Sequence, residues 1–253
     1  MGTRSVFGTH SRFDLRDGFP AVTTKKLYFG QVAAELAAFI AGAETLEEFH
    51  KFGCNIWNAN ALAYHGRFPG DLGRIYGVNW RRWRSWVDGE ITPELKETDQ
   101  LRELIENLRG NPFSRRHVVT AWNPGELDQM CLPPCHTFFQ CYVSKDGFLD
   151  LRFDLRSVDL FIGYPFDVAS YALLAHLLAR STGLTARQLY ISMGDAHIYN
   201  NHLEQVEEVL SRKPMQPAML CLTGDIDALN FHPSCASLAE YVSHPPVRAT
   251  MNV

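Results

Sequence analysis

The run Ala169–Ala179 is apolar on nearly every face. A helix without a polar side has no stable place on a surface, so other elements must enclose it. Shortly before it, Leu149, Leu151, Phe153 and Leu155 alternate with Asp150, Arg152, Asp154 and Arg156. That period of two marks a strand with one buried face. A buried helix beside such a strand predicts an α+β fold, a mostly buried sheet with helices packed against it.

The remaining periodicities fit this plan. Phe29, Val32, Ala33, Leu36, Phe39 and Ile40 recur at helical spacing and stop at Gly42, predicting a helix over Phe29–Ile40. Asn200–Lys213 reads as a more exposed helix, with Pro214 just past its end. Val118–Trp122, Phe138–Val143 and Leu189–Met193 are short β-favouring runs, and Asp146-Gly147 reads as a hairpin turn. Gly66–Gly73 and Thr223–Cys235 read as loops. With no internal repeat, low-complexity stretch or linker, residues 1–253 read as a single domain.

Bulk properties exclude several function classes. A composition of 46% hydrophobic and 21% charged residues is that of a globular chain. The net charge is -4 and there is no long basic run, which argues against a nucleic-acid polymer as partner. No apolar stretch approaches the roughly 18 residues of a membrane span, and Met1-Gly2-Thr3-Arg4 lacks a signal-peptide core. The six cysteines show no CxxC spacing, so neither a metal site nor a disulfide framework is expected. A reducing cytoplasm, the host's if the protein is viral, is the expected setting.

The chemistry-bearing residues cluster around Leu132-Pro133-Pro134-Cys135-His136. A thiol reacts as the thiolate, so a nucleophilic Cys135 needs positive charge or donors nearby. His136, Arg156 and the Arg115-Arg116 pair are the candidates, whereas Cys54, Cys141, Cys221 and Cys235 read as packing residues. Arg115-Arg116 stands at the entrance to the strand-like His117–Trp122, where adjacent guanidinium groups can grip a phosphate. Strand alternation puts Arg156 on the face opposite Phe153 and Leu155.

From Thr3 to Val253 the chain resembles the thymidylate synthase family. The motifs are Asp17-Gly18-Phe19-Pro20 with Thr23-Thr24-Lys25, Asp71-Leu72-Gly73-Arg74-Ile75-Tyr76-Gly77 with Trp80-Arg81, Ser114-Arg115-Arg116, and Ala121-Trp122-Asn123-Pro124-Gly125-Glu126-Leu127. Pro134-Cys135-His136-Thr137-Phe138-Phe139-Gln140 and Gly194-Asp195-Ala196-His197-Ile198-Tyr199 follow in order. The resemblance implies a homodimer of thymidylate synthase-like fold, with a mixed sheet and an active site shared between subunits. It implies that Cys135 adds to C6 of a pyrimidine nucleotide, making C5 a carbon nucleophile toward the one-carbon unit of 5,10-methylenetetrahydrofolate. Glu35 would organise water and proton transfers. Arg156 and Ser157, with Arg115 and Arg116 of the other subunit, would hold the phosphate, and His197 and Tyr199 the sugar hydroxyl. Tyr76 and His136 complete the substrate set. Lys25, Trp57, Asn60, Leu132, Asp159, Gly163 and the C-terminal Val253 occupy positions at the folate.

Three departures from the family pattern bear on substrate and product. Asp167 stands where thymidylate synthases carry asparagine, whose amide suits uracil by accepting from N3–H and donating to O4. Cytosine offers an N4 amino donor and a neutral N3 acceptor, so a carboxyl partner needs a proton on itself or on N3. Asp167 therefore points to dCMP, and Ser157 matches enzymes of 2'-deoxynucleotides. Asn60 replaces a second tryptophan and Asn252 replaces alanine, adding polarity where water can be admitted. The loop whose arginine covers the phosphate has no full counterpart before Thr3, with Arg4 as the available substitute. The expectation is hydroxymethyl transfer to dCMP. The alternatives are methyl transfer to dCMP, methylation of dUMP, and a non-catalytic nucleotide- or RNA-binding relative.

Overall fold

The computed structural model describes residues 2–89 and 92–250. In chain order the elements are β1 (Thr3–Asp14), α1 (Phe29–Ala41), α2 (Leu46–Lys51), α3 (Asn58–Ala63), α4 (Gly77–Arg81), β2 (Trp83–Val87), β3 (Glu94–Thr98) and α5 (Gln100–Gly110). Then come β4 (Val118–Thr120), β5 (His136–Val143), β6 (Phe148–Asp159), α6 (Gly163–Thr182), β7 (Thr185–Tyr199), α7 (Leu203–Ser211), β8 (Met219–Leu222) and β9 (Ala236–Ala239). No helix among the described residues is long and apolar enough to cross a membrane.

The main sheet runs β1-β7-β6-β5-β4 and is mixed: β6 and β7 are parallel, and the other pairs are antiparallel. Parallel neighbours need a crossover, and α6 is that crossover. It is the predicted all-apolar helix, extended at both ends, with Val168–Leu174 buried without a break. It covers the inner face of the sheet formed by Phe139, Leu151, Phe153 and Leu155, and α1, whose buried residues include Val32, Leu36, Phe39 and Ile40, packs against α6. The helix over Phe29–Ile40 and the turn at Asp146-Gly147 form as predicted, Gly147 taking the positive φ of 78° that the hairpin needs.

The outer face of the sheet is open. Val118, Gln140, Arg152, Tyr190 and Arg12 are successive cross-strand partners and so form one row across all five strands. Val118, Tyr142 and Tyr190 are exposed on this face.

Several boundaries move. The strand expected over Val118–Trp122 ends at Thr120, because Ala121 and Trp122 both turn their N–H groups to the Thr137 carbonyl. Asn200–Lys213 divides into a 3-10 turn at Asn200–His202 and α7, which stops at Ser211. Leu189–Met193 is the middle of a much longer strand that reaches Tyr199.

The connection from α1 to the catalytic region is tight. Tyr76 has φ 21° and ψ -86°, a strained backbone for a side-chain-bearing residue. Its ring is held at 4.0 Å from His136 in a stacked pair and at 5.0 Å from Phe39. The next residue, Gly77, packs directly on α1: a Cβ there would lie 2.1 Å from the Phe39 carbonyl oxygen. Gly77→Ala should therefore destabilise the fold by about 3 kcal/mol, at the upper end of overpacking penalties. Urea denaturation checks this, and an unchanged midpoint would show that α4 is free to move off α1.

Candidate active site

Two parallel strands that end together bring their C-terminal residues side by side, a placement that open sheets use for ligand sites. Here Ser157 of β6 lies opposite Asp195 of β7, and Asp159 opposite His197. Asp159 then turns the chain: its Oδ1 accepts from the N–H of Phe161 at 2.8 Å and of Ile162 at 3.2 Å. This turn starts α6, whose first turns carry Gly163 and Asp167.

Cys135 sits at the entrance to β5. Pro133 and Pro134 have no N–H to offer, and their carbonyls accept from Arg156: Nε donates to Pro134 O and Nη2 to Pro133 O, each at 2.9 Å. The Arg156 N–H donates to the Cys135 carbonyl at 2.8 Å, and its guanidinium lies 5.4 Å above the Trp122 ring. Arg156 is thus fixed beside the thiol with the rest of its guanidinium edge exposed. From the other side, Tyr76 Oη accepts from the Cys135 N–H at 2.9 Å. Burial raises the Cys135 thiol above its ordinary value, and ionisation of Asp167 acts in the same direction; Arg156 and Tyr76 work against them.

His136 does not supply the positive charge expected of it. Its ring is buried among Tyr76, Phe39, Trp80 and Tyr171, and burial holds its pKa near about 3. A neutral imidazole remains, with Nδ1 2.8 Å from the Tyr171 hydroxyl. Of the expected cations, Arg156 alone is shown to act on the thiol within one chain. Arg115 and Arg116 are exposed in the segment between α5 and β4, and neither makes an ion pair among the described residues.

Two carboxyl groups face the same region. Glu35 projects from α1 and accepts from Trp57 Nε1–H at 2.8 Å. Burial raises it to about 7, a rise that the Trp57 bond only partly offsets. Asp167 is raised well above the usual carboxylate range, first by burial and then by the charge of Glu35. No side chain or backbone group among the described residues donates a hydrogen bond to Asp167. Trp57 packs edge-on against Phe39 and Tyr76, which links Glu35 to the Cys135 side. Asn60, one helical turn beyond Trp57, is 8% exposed, and its side chain has no hydrogen-bond partner among the described residues.

At the rim, Lys25 donates to the Phe161 carbonyl and lies 4.0 Å from the centre of the Phe161 ring. Burial lowers its pKa to about 8, against the attraction of Asp159. Phe161 and Lys25 line an apolar cavity of about 470 Å³ with Tyr164 and Val168. Leu132 is half-buried against the core. His197 Nδ1 is 3.3 Å from the Asp195 carbonyl oxygen, and its ring stands edge-on to Tyr199 at 5.1 Å. Arg4 is exposed in β1 opposite Ile198, so alternation places it on the other sheet face from His197 and Tyr199. Val253, with Met251 and Asn252, lies outside the described residues.

A family model described as thymidylate synthase matches residues 1–253. The chain belongs to the thymidylate synthase family. It is 44% identical over 272 residues to a probable thymidylate synthase of Escherichia phage T5, covering 99% of this chain and 91% of the relative. It is also 44% identical over 254 residues to a thymidylate synthase of Coxiella burnetii, covering 100% and 91%. Membership makes this chain a folate-dependent one-carbon transferase of thymidylate synthase type, with methylenetetrahydrofolate as cosubstrate.

Two neighbours of the site go unmentioned as site residues in the sequence reading. Trp122, under Arg156, lies in a matched motif with nothing to mark its partner. Tyr171 falls inside the all-apolar helix and reads as core; only its hydroxyl, a polar group in a buried run, signals otherwise.

A raised carboxyl pKa stabilises the fold while the group is protonated, and that contribution is lost as pH climbs from the ordinary 4.5 toward about 7. Glu35's share is on the order of 3 kcal/mol. Glu35→Gln should lose turnover yet gain stability relative to the unsubstituted protein as pH rises from about 4.5 to 8. Urea midpoints at both ends of the range check this; parallel curves would show that Glu35 titrates normally.

Proposed function

We propose that this enzyme transfers a one-carbon unit to C5 of dCMP and yields the 5-hydroxymethyl nucleotide. The observation that carries the reading is Asp167, a half-buried carboxyl with no hydrogen-bond donor among the described residues, which desolvation and the neighbouring Glu35 raise well above the usual carboxylate range. A protonated carboxyl donates to N3 of neutral cytosine and accepts from its N4 amino group. When Cys135 adds to C6, charge moves onto N3, which takes the Asp167 proton. The resulting carboxylate then faces two donors, N3–H and N4–H, a contact that tightens as the reaction proceeds. With uracil the charge moves onto O4 instead, an enolate oxygen less basic than the cytosine N3, so the proton transfer from Asp167 and the contact it creates are less favourable. Cytosine is accommodated in both states.

The residues around the folate positions fit that cosubstrate. Lys25, Asp159, Gly163, Trp57, Asn60 and Leu132 are the residues that would meet the folate in this reading, and the folate supplies a carbon at the formaldehyde level. Glu35, near half-ionised at pH 7, can take a proton from water. Asn60 offers a buried amide with free donors and acceptor, the kind of group that holds an ordered water. Water arriving at the C5 methylene gives the hydroxymethyl product. The buried Trp57 wall favours a second reading, hydride transfer to give 5-methyl-dCMP. The names of the relatives favour a third, methylation of dUMP.

The open sheet face, with Arg156 at its edge and Arg115 and Arg116 exposed, supports a homodimer in which each phosphate site takes arginines from both subunits. Ser157, His197 and Tyr199 complete the nucleotide site in this reading, and a reducing cytoplasm is its setting.

Incubation with methylenetetrahydrofolate and either dCMP or dUMP, followed by product mass spectrometry, tests the proposal. The expected result is a gain of about 30 mass units on dCMP alone, the increment of a water-trapped one-carbon unit. A gain of about 14 on dCMP, with dihydrofolate, would establish methyl transfer instead. Turnover of dUMP alone would refute the cytosine reading. Asp167→Asn should move preference toward dUMP by about tenfold or more, the worth of one mispaired buried group. Cys135→Ala should abolish turnover while nucleotide binding persists; retained turnover would remove the covalent step.

A further inference from the structure

Tyr171 takes no part in the steps above, yet its hydroxyl is built into the wall of the site. It stands on α6 one turn beyond Asp167, fully enclosed, with its ring flat against Phe153 at 3.9 Å and 7°. The one hydrogen bond its hydroxyl makes among the described residues is to His136 Nδ1, at 2.8 Å. His136 in turn stacks on Tyr76, the residue that accepts from the Cys135 N–H. The other ring nitrogen of His136, Nε2, makes no hydrogen bond among the described residues and is not sealed from solvent. It is the open polar atom of a buried ring.

A neutral imidazole carries its proton on one nitrogen or the other. If Nδ1 carried it, Nδ1–H would donate to the tyrosine oxygen, and the Tyr171 hydroxyl hydrogen would point into the core without an acceptor. If Nε2 carries it, Tyr171 donates to Nδ1 and every buried hydrogen is used. The second arrangement leaves nothing unsatisfied inside the protein. We propose that Tyr171 is a positioning residue that fixes the tautomer of His136, so that the ring presents Nε2–H as a hydrogen-bond donor on its open side.

This assignment has a consequence for recognition. Any atom that meets His136 there must be an acceptor, such as a water oxygen or a carbonyl oxygen, whereas an amino group meets it only through a water. The inference holds for either pyrimidine and does not depend on the choice of dCMP. The low pKa of the ring is consistent with it, because a second ring proton is not taken up at neutral pH.

Nitrogen-15 NMR of the histidine-labelled enzyme, with the His136 signals identified by comparison with His136→Asn, tests the proposal directly. The expected spectrum has Nε2 in the protonated, pyrrole-like range and Nδ1 in the unprotonated, pyridine-like range, unchanged across neutral pH. Tyr171→Phe keeps the ring stack on Phe153 but removes the donor. It should shift His136 toward the other tautomer or a mixture, and lower kcat by about tenfold with little change in nucleotide KM, the loss expected from one oriented hydrogen bond. Phe153→Leu serves as the packing control: it should lower stability and leave the tautomer as it is. A protonated Nδ1 in the unsubstituted enzyme would overturn the proposal on its own, even if the Phe variant failed to fold. So would a Tyr171→Phe enzyme with the original tautomer and undiminished kcat.

Discussion

Two half-buried carboxyl groups, Glu35 from α1 and Asp167 from α6, share one site, and the charge of Glu35 opposes ionisation of Asp167. Their separation in behaviour follows from their partners. Glu35 has the Trp57 indole N–H, which favours its ionised form and brings it to about 7. Asp167 has no donor at all among the described residues, so nothing offsets the rise in its pKa. Under the proposed function this difference makes Glu35 the base and Asp167 the acid, the division of labour that neighbouring carboxyls with different partners provide. The Cys135 thiol lies within reach of the Asp167 charge, with Arg156 the counterweight to burial.

Holding these groups in place is a matter of packing. The rings of Phe39, Trp57, Tyr76, Trp80, His136 and Tyr171 form a continuous cluster between α1, α4, β5 and α6. Rings in T-shaped and stacked pairs resist sliding more than aliphatic side chains do. The prolines before Cys135 play a complementary part: their carbonyls, free of any ladder, are the acceptors that fix Arg156. The single sheet is thus buried on its inner face, under α6, and exposed on its outer face at Val118, Tyr142 and Tyr190.

The main helices and the central strands are legible in the chain because their hydrophobic periods are strong. Ala169–Ala179 and Leu149–Arg156 are the clearest, and both lie inside the observed elements. Strand β1 is not legible: most of its side chains are exposed, so Thr3–Asp14 carries no alternation to read. The hairpin β2-β3 has no buried residue in either strand, so it too lacks an apolar face to read. Helix α5 is a different case, since Leu101, Leu104, Ile105 and Leu108 follow a helical period behind the Asp99 cap, a legible signal at a place where no helix is predicted. At the site, residue types and motif order point to Cys135, Glu35 and Arg156. The charge state of His136 is beyond sequence, because neutrality there comes from burial by residues distant in the chain.

The central claim is that Asp167 is protonated in the free enzyme at neutral pH. Infrared difference spectroscopy between Glu35→Gln and the double variant Glu35→Gln, Asp167→Asn isolates the Asp167 carboxyl from its neighbour. The account predicts the carbonyl stretch of a protonated acid at pH 7, present in the single variant and absent from the double. A carboxylate signature at that pH, with no acid band, would contradict it.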